Sequence, residues 1–425
     1  MIIDIQPRQI HGQVRVPPSK SASHRMLMAA ALSDGKSTVR NLIYSKDIQA
    51  TLSCLENLGV QFETSADTVV VKGVGLPNVV TNPVFDCHES GSTLRFMIPI
   101  AMLPGSEVQF IGQGRLIERP ITPFIDIFKE KSIPFTYEGM LPLHVKGKLE
   151  AGTYTMPGNI SSQFITGLLY ALPQLEGDSE IIMTSPLESK GYVDMTIKAL
   201  STFGIQVDND NYQRFIVGGG QAYQAQDVRV EADYSQATFW AVAAVIGKGL
   251  TLKGLSQVTE QGDAAVLDIL ERMGASITWL EDGDLEIHAD ALEGTTIDVS
   301  EIPDALPALA VAAALAQGTT TFVGGERVRL KESDRIKAMA TELAKLGVDI
   351  KETPDGLIVH GGRPLKGGDL HGWNDHRIVM ALTVASICAT GPISIDDAEA
   401  ITKSYPHFFE DFKQLGGHVH ERNLG

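Results

Sequence analysis

The sequence predicts an α/β protein of two domains, built from six copies of one α/β unit. Three observations predict it. A helix rich in small residues and running into a glycine starts after Pro17-Pro18-Ser19-Lys20 and recurs at 93–105, 164–177, 237–247, 305–318 and 376–391. A second helix leading through Gly to a strand recurs at 200–205, 270–277 and 343–350. Successive copies lie about 70 residues apart, too long for the common solenoid repeats, and a chain of 425 residues has room for two or three domains.

In chain order, two strand-like segments, 2–5 and 13–16, precede Pro17 and Pro18, which stop the strand. Ser19, Ser21 or Ser23 can then cap a helix that begins at Lys20-Ser21-Ala22-Ser23-His24-Arg25. Lys20 and Arg25 carry the wrong charge for a helix N-terminus, where the macrodipole is already positive, so fold stability does not account for them. An anionic ligand does. Gly35 reads as the residue after the helix, followed by a strand at 37–42, a helix at 47–58 ending at Gly59, and strands at 60–63 and 68–72. In the second copy Ser132 replaces the glycine, and in the sixth the C-terminus cuts the final strand pair short. The spare N-terminal strands can complete that last copy. This gives a discontinuous domain of residues 1–20 and 231–425 and an inserted domain of 21–230, with three copies in each and an active site expected in the cleft between them.

Composition narrows the function. Hydrophobic residues make up 43% of the chain and charged residues 20%, with no apolar run long enough to span a bilayer, so the sequence reads as a cytoplasmic protein without a membrane partner. A net charge of −17 argues against nucleic-acid binding and requires any anion site to be built from a few clustered cations. Cys54, Cys87 and Cys388 are scattered and the eleven histidines dispersed, which speaks against disulfides, a zinc site and a metal hydrolase. We expect no metal or cofactor, and a monomer.

If the copies superpose, the residues opening each first helix fall at equivalent places. They are polar throughout: Glu89-Ser90-Gly91-Ser92-Thr93-Leu94-Arg95, Asn159-Ile160-Ser161-Ser162-Gln163, Asp233-Tyr234-Ser235-Gln236, Ile302-Pro303-Asp304 and Asn374-Asp375-His376-Arg377. Ser, Asp and Asn cap most helices, and the fourth set reads as an ordinary cap. Arg25, Arg95 and Arg377 do not. Loops before the second helices add Arg115 to Pro120, Ser189-Lys190-Gly191-Tyr192, Lys331-Glu332-Ser333-Asp334-Arg335 and Lys403.

Together Pro-Ser-Lys-Ser-x-Ser-His-Arg, Gly-Ser-Thr-Leu-Arg, Arg-Leu-x-Glu-Arg-Pro, Ser-Ser-Gln-Phe, Ile-Pro-Asp, Lys-Glu-Ser-Asp-Arg and Asn-Asp-His-Arg resemble, in order, the 5-enolpyruvylshikimate-3-phosphate synthase family. The resemblance runs from near residue 11 to about residue 416. It implies an inverse α/β barrel-like fold of six βαβαββ units, three per domain. It also implies metal-free transfer of the enolpyruvyl group of phosphoenolpyruvate to the 5-hydroxyl of shikimate 3-phosphate, with release of inorganic phosphate, in aromatic amino-acid biosynthesis. By the same resemblance Ser21, Arg25, Ser161, Ser162, Ser189, Tyr192, Asp304 and Lys331 bind shikimate 3-phosphate, and Gly91, Arg115, Arg335, Arg377 and Lys403 bind phosphoenolpyruvate. Lys20 and Gln163 touch both. Asp304 accepts the proton of the 5-hydroxyl, Glu332 protonates the methylene, and Lys20 takes part in catalysis.

The chain departs from the common pattern in Glu89-Ser90 before Gly91, where Asn-Ala or Asn-Ser is usual, and in Arg327, where some members have Asn. Two other readings remain. The related transferase acting on UDP-N-acetylglucosamine uses a Cys in the loop that here contains Arg115, and no Cys lies between Cys87 and Cys388. A non-catalytic clamp for a phosphorylated metabolite explains the cations but gives Asp304 and Glu332 no task beyond capping.

Overall fold

A computed structural model describes residues 1–422, which form two compact units. One joins Met1–Ser19 to the chain from Glu231 onward, and the other is Lys20–Val230. The Ser19 N–H donates to the Glu231 carbonyl at 2.7 Å and Pro18 bridges to Ala232, so the first crossing falls just after Ser19. Lys20 therefore opens the inserted unit, where the sequence reading ended the other domain.

The six recurring helices are α1 (Lys20–Ala31), α2 (Gly91–Ala101), α3 (Ser162–Ala171), α4 (Tyr234–Ile246), α5 (Leu306–Leu315) and α6 (His376–Ala385). Their starts are spaced about 70 residues apart, as the recurrence in sequence requires. Beyond their polar opening residues, small and apolar side chains cover these helices on all sides, so water is a poor neighbour for any face and each forms the inside of its unit. In α5 every residue from Leu306 to Ala314 is buried. Helices α4, α5 and α6 pack on one another within one unit, and α2 packs on α3 in the other.

Among the described residues six sheets surround these helices, three in each unit; five share one four-strand order, and the sheet of Ser33–Arg40 carries a fifth strand. Val84–Asp86 runs parallel to Glu107–Ile111, which pairs antiparallel with Leu143–Lys146, which carries Phe135–Thr136. Thr153–Met156, Ser179–Met183, Arg214–Val217 and Asp208–Asp210 repeat this order, as do Thr296–Asp298, Thr319–Val323, Gly356–His360 and Asp349–Thr353. In the sheet of Ser33–Arg40 the parallel neighbours are Tyr223–Gln224 and Asp227–Arg229, and the N-terminal strands complete the other two sheets. Ile2–Gln6 lies antiparallel between Ile393–Ile395 and His418–Arg422, with Ile3 opposite Ile395 and Ile5 opposite Val419. Gln13–Arg15 runs parallel to Leu250–Lys253 as the first strand of its sheet.

One local expectation fails. Gly35 does not end α1; it lies inside the strand Ser33–Arg40, paired with Gly73 across the ladder, at φ 125°. The helix has already ended at Ala31, and the Leu32 N–H closes its last turn onto Met28.

The α2–α3 contact rests on a paired choice of residues. Pro99 has no N–H to give the carbonyl of Arg95, one turn earlier, and Gly167 of α3 packs onto that carbonyl. A Cβ at Gly167 would stand 2.3 Å from the Arg95 oxygen, so only glycine permits the approach.

Candidate active-site residues on each unit

In the unit that contains α4, α5 and α6, the densest chemistry surrounds Arg335, whose side chain is 1% exposed. Its Nε and Nη2 donate to Asp375 at 2.8 and 3.2 Å, Nη1 donates to Asp304 at 2.7 Å, and Nη2 also reaches Glu332 at 2.7 Å. Asp304 further pairs with Lys331 Nζ at 3.2 Å and with Arg377 Nη2 at 3.0 Å. Three cations and three carboxylates thus meet where α5, α6 and the helix Arg335–Lys345 begin.

Capping does not explain Asp304 or Glu332. The cap position of α5 is Ala305, which offers no side-chain bond, while the Asp304 carboxylate faces three cations. Asp334, not Glu332, caps Arg335–Lys345 by accepting from the Lys337 N–H at 3.0 Å. Asp375 does cap α6, accepting from the Arg377 N–H at 2.9 Å, and also takes the Ser333 hydroxyl at 2.8 Å. Burial alone would raise its pKa, but the Arg335 guanidinium prevails and holds it below the usual range. Arg335 is pushed the other way by its three carboxylate partners, which outweigh burial. Burial lowers the pKa of Lys331, with Asp304 opposing and Arg335 adding to the effect. Lys403 is 5% exposed and donates to the Asn374 carbonyl at 2.6 Å, which ties it to the loop before α6.

The unit built on α1, α2 and α3 carries the remaining candidates. Arg25 is buried, and every acceptor it meets is neutral: Thr196 Oγ1 and the Tyr192 carbonyl at 2.9 Å and the Ser21 carbonyl at 2.8 Å. The rings of Phe96 and Tyr192 flank the guanidinium at 5.3 and 5.9 Å. Burial lowers its pKa, and among the described residues no carboxylate stands beside it to oppose this. Lys20 is the first residue of α1 and pairs with Asp47 at 2.9 Å. Tyr192 sits in the first turn of the helix Lys190–Thr202, directly after Ser189, which is buried and holds the left-handed backbone conformation at φ 57°.

Gln163 joins two helix starts. Its amide donates to Ser92 at 2.9 Å and its carbonyl accepts from Arg95 at 2.6 Å. Ser161 caps α3, its hydroxyl accepting from the Gln163 N–H at 3.3 Å, and Ser162 follows as the first helical residue. Over Gly91 lies the Arg119 guanidinium; a Cβ there would meet Arg119 Nη1 at 2.7 Å. Arg115 lies on the short turn Gly114–Glu118, and the Glu89 carboxylate packs against Gly114.

Sequence reasoning missed several of these partners. Asp47 was only the start of an amphipathic helix, Arg119 part of a string, and Asp375 a cap; the signal in each case is a tertiary pairing that spacing does not carry. His24 belongs to the first motif but is a core residue, with Nδ1 at 2.8 Å from Thr51 Oγ1 and its pKa pushed well down by burial, then by Lys20 and Arg25. Arg327 is buried and donates to the Ser300 carbonyl. The histidines are not all isolated. His371 meets Asp396 and Asp397, with donor atoms within 4.8 Å of one another, in a partly exposed group.

Comparison with known proteins agrees over the whole length. The family model of EPSP synthase (3-phosphoshikimate 1-carboxyvinyltransferase) matches residues 5–412. The chain is 46% identical over 424 residues to the 3-phosphoshikimate 1-carboxyvinyltransferase of Clostridium kluyveri, covering 100% of this chain and 99% of the relative. It is 45% identical over 432 residues to that of Clostridium novyi, with the same coverage. Its fold is similar to the EPSP synthase of Acinetobacter baumannii at a TM-score of 0.82 and 28% identity, covering 99% of this chain and 100% of that one. With the repeated architecture, the paired carboxylates and the full-length match in agreement, the chain belongs to the EPSP synthase family.

Proposed function

We propose that the protein transfers the carboxyvinyl group of phosphoenolpyruvate to the 5-hydroxyl of shikimate 3-phosphate and releases inorganic phosphate. The observation that carries this reading is the Asp304–Glu332–Arg335 cluster, in which two carboxyl groups share one buried guanidinium. A pure anion clamp gains nothing from placing acids among its cations. An addition–elimination needs both kinds of group.

Protonating the methylene carbon of phosphoenolpyruvate leaves a cationic centre at C2, which the 5-hydroxyl attacks as it loses its proton. Glu332 gives the first proton and Asp304 takes the second, a division of labour that two carboxyl groups in different settings can sustain. Arg335 and Arg377 hold the donor's carboxylate, for which planar guanidinium groups are suited. When that carboxylate takes up Arg335, Glu332 is released from its ion pair and can carry a proton. Loss of phosphate and of one methyl proton then restores the double bond, and Lys20, Arg115, Gln163 and Lys403 stabilise the departing phosphate.

Arg25, with Ser21, Ser161, Ser162, Ser189, Tyr192 and Lys331, binds shikimate 3-phosphate. Arg25 is the strongest support for this part, because a buried cation among neutral acceptors lacks the countercharge that an anion supplies. Gly91, at the start of α2, belongs to the donor's site in this reading, and its missing side chain lets the Arg119 guanidinium lie against the backbone there. The UDP-N-acetylglucosamine reaction is disfavoured by the loop around Arg115, which has no Cys. The test is phosphate release from phosphoenolpyruvate, with a chelator present. Release that requires shikimate 3-phosphate is the expected result; binding of both compounds without release would return the protein to the clamp reading.

A further inference from the structure

The fourth helix opens with Asp233-Tyr234-Ser235-Gln236, and Asp233 does act as its cap, accepting from the Gln236 N–H at 3.1 Å. Ser235 has a different task. Its hydroxyl donates to Asp263, a carboxylate only 3% exposed on the short turn Gly262–Ala264. Its carbonyl faces Arg377 Nη1 at 3.5 Å, while Nη2 of the same guanidinium pairs with Asp304 at 3.0 Å. A fourth carboxyl group therefore stands behind the Arg377–Asp304 pair, with one serine between.

Stability does not ask for a carboxylate here. Burial raises the pKa of Asp263 to about 6, the charge of Asp304 adds to this, Ser235 and Arg377 oppose it, and Asp233 raises it further. An amide would accept the same serine hydroxyl without the cost of a buried charge beside another. What only the carboxylate supplies is negative charge, which attracts Arg377 and makes Asp304 harder to leave ionised, hence a better base.

We propose that Asp263 is a positioning residue for carboxyvinyl transfer: through Ser235 it fixes the Arg377 guanidinium against Asp304, and its charge keeps Asp304 basic. The proposal rests on the reading of Arg377 as a ligand of phosphoenolpyruvate and of Asp304 as the base.

The experiment compares the full-length protein with Asp263→Asn and Ser235→Ala, measuring steady-state phosphate release and thermal unfolding. Asp263→Asn should lower kcat and raise the KM for phosphoenolpyruvate, each by about tenfold, and leave the KM for shikimate 3-phosphate nearly unchanged. The melting temperature should not fall with it. Because the folded pKa is raised, ionisation of Asp263 weakens the fold increasingly from about pH 4 and fully above about pH 6, so the Asn variant should melt higher at pH 8 and equally at pH 4.

A lower melting temperature with wild-type kinetics would mean a structural role and overturn the proposal. If Asp263→Asn does not fold, Ser235→Ala decides: a raised KM for phosphoenolpyruvate sustains the proposal and an unchanged one overturns it. Wild-type turnover with unaffected variants removes this proposal alone, whereas a wild-type protein without turnover removes the underlying reading as well.

Discussion

Arg25 shows how a single residue can be read from charge alone. The sequence places it near a helix start, where a cation opposes the macrodipole; in the fold it lies in the second turn of α1, and it is its burial among neutral acceptors, with no carboxylate beside it among the described residues, that disfavours it until an anion arrives. Arg25→Met should weaken binding of shikimate 3-phosphate by about 2–3 kcal/mol without lowering the melting temperature. Titration calorimetry and thermal unfolding read the two effects separately. Asp304→Asn should lower turnover by roughly 100-fold or more while both ligands still bind, as expected for loss of a base; unchanged turnover would remove Asp304 from the chemistry. Gly91→Ala places a methyl group 2.7 Å from Arg119 Nη1, so this guanidinium must move. A higher KM for phosphoenolpyruvate at an unchanged KM for the acceptor is the expected outcome. The wrong-sign cations and the helix-opening acids were legible in the sequence. Their partners were not, because Asp47 and Lys20, or Asp375 and Arg335, meet only after the chain has folded.

At the scale of elements, the helix starts hold the site and the helix middles hold the fold. Asp375 serves both, capping α6 and binding Arg335 by two nitrogens. Asp375→Asn leaves Arg335 without part of its buried countercharge and should cost about 3–5 kcal/mol, visible as a large loss in denaturant midpoint. The pH dependence has a definite sign. The folded pKa of Asp375 is depressed, so its contribution is complete above the unfolded value and is lost as pH falls through the lower folded value; near neutral pH the contribution is present in full and does not vary with pH. Gly167→Ala tests the packing of α2 on α3. The added methyl would press on the Arg95 carbonyl, and a destabilisation of about 1–3 kcal/mol is expected. The recurrence of these helices was plain in the sequence because small residues running into glycine repeat in every copy. The end of α1 was misread for a related reason: Gly35 resembles a helix stop, yet its positive φ is used inside a strand opposite Gly73.

For the whole molecule, the unfinished sixth copy predicted where the N-terminus goes. Ile2–Gln6 fills the final-strand place between Ile393–Ile395 and His418–Arg422, and Gln13–Arg15 begins the sheet of Leu250–Lys253. Counting strands per copy was enough to place Ile2–Gln6, since an α/β unit without its last strand leaves an unpaired edge, but not Gln13–Arg15, which opens the fourth copy's sheet instead of completing the sixth. Sequence could not reveal that α4, whose opening residues read as an ordinary cap, brings Ser235 to Arg377, with Asp263 of the turn Gly262–Ala264 behind it. In the proposed reaction protons pass through carboxyl groups held among guanidiniums, in an addition followed by an elimination. Running it in D2O and weighing the product tests this. Protonation of the methylene makes a methyl group that carries one deuterium and can lose either isotope, so deuterium is expected in the methylene of the transferred group. Full release of phosphate with a product free of deuterium would contradict it.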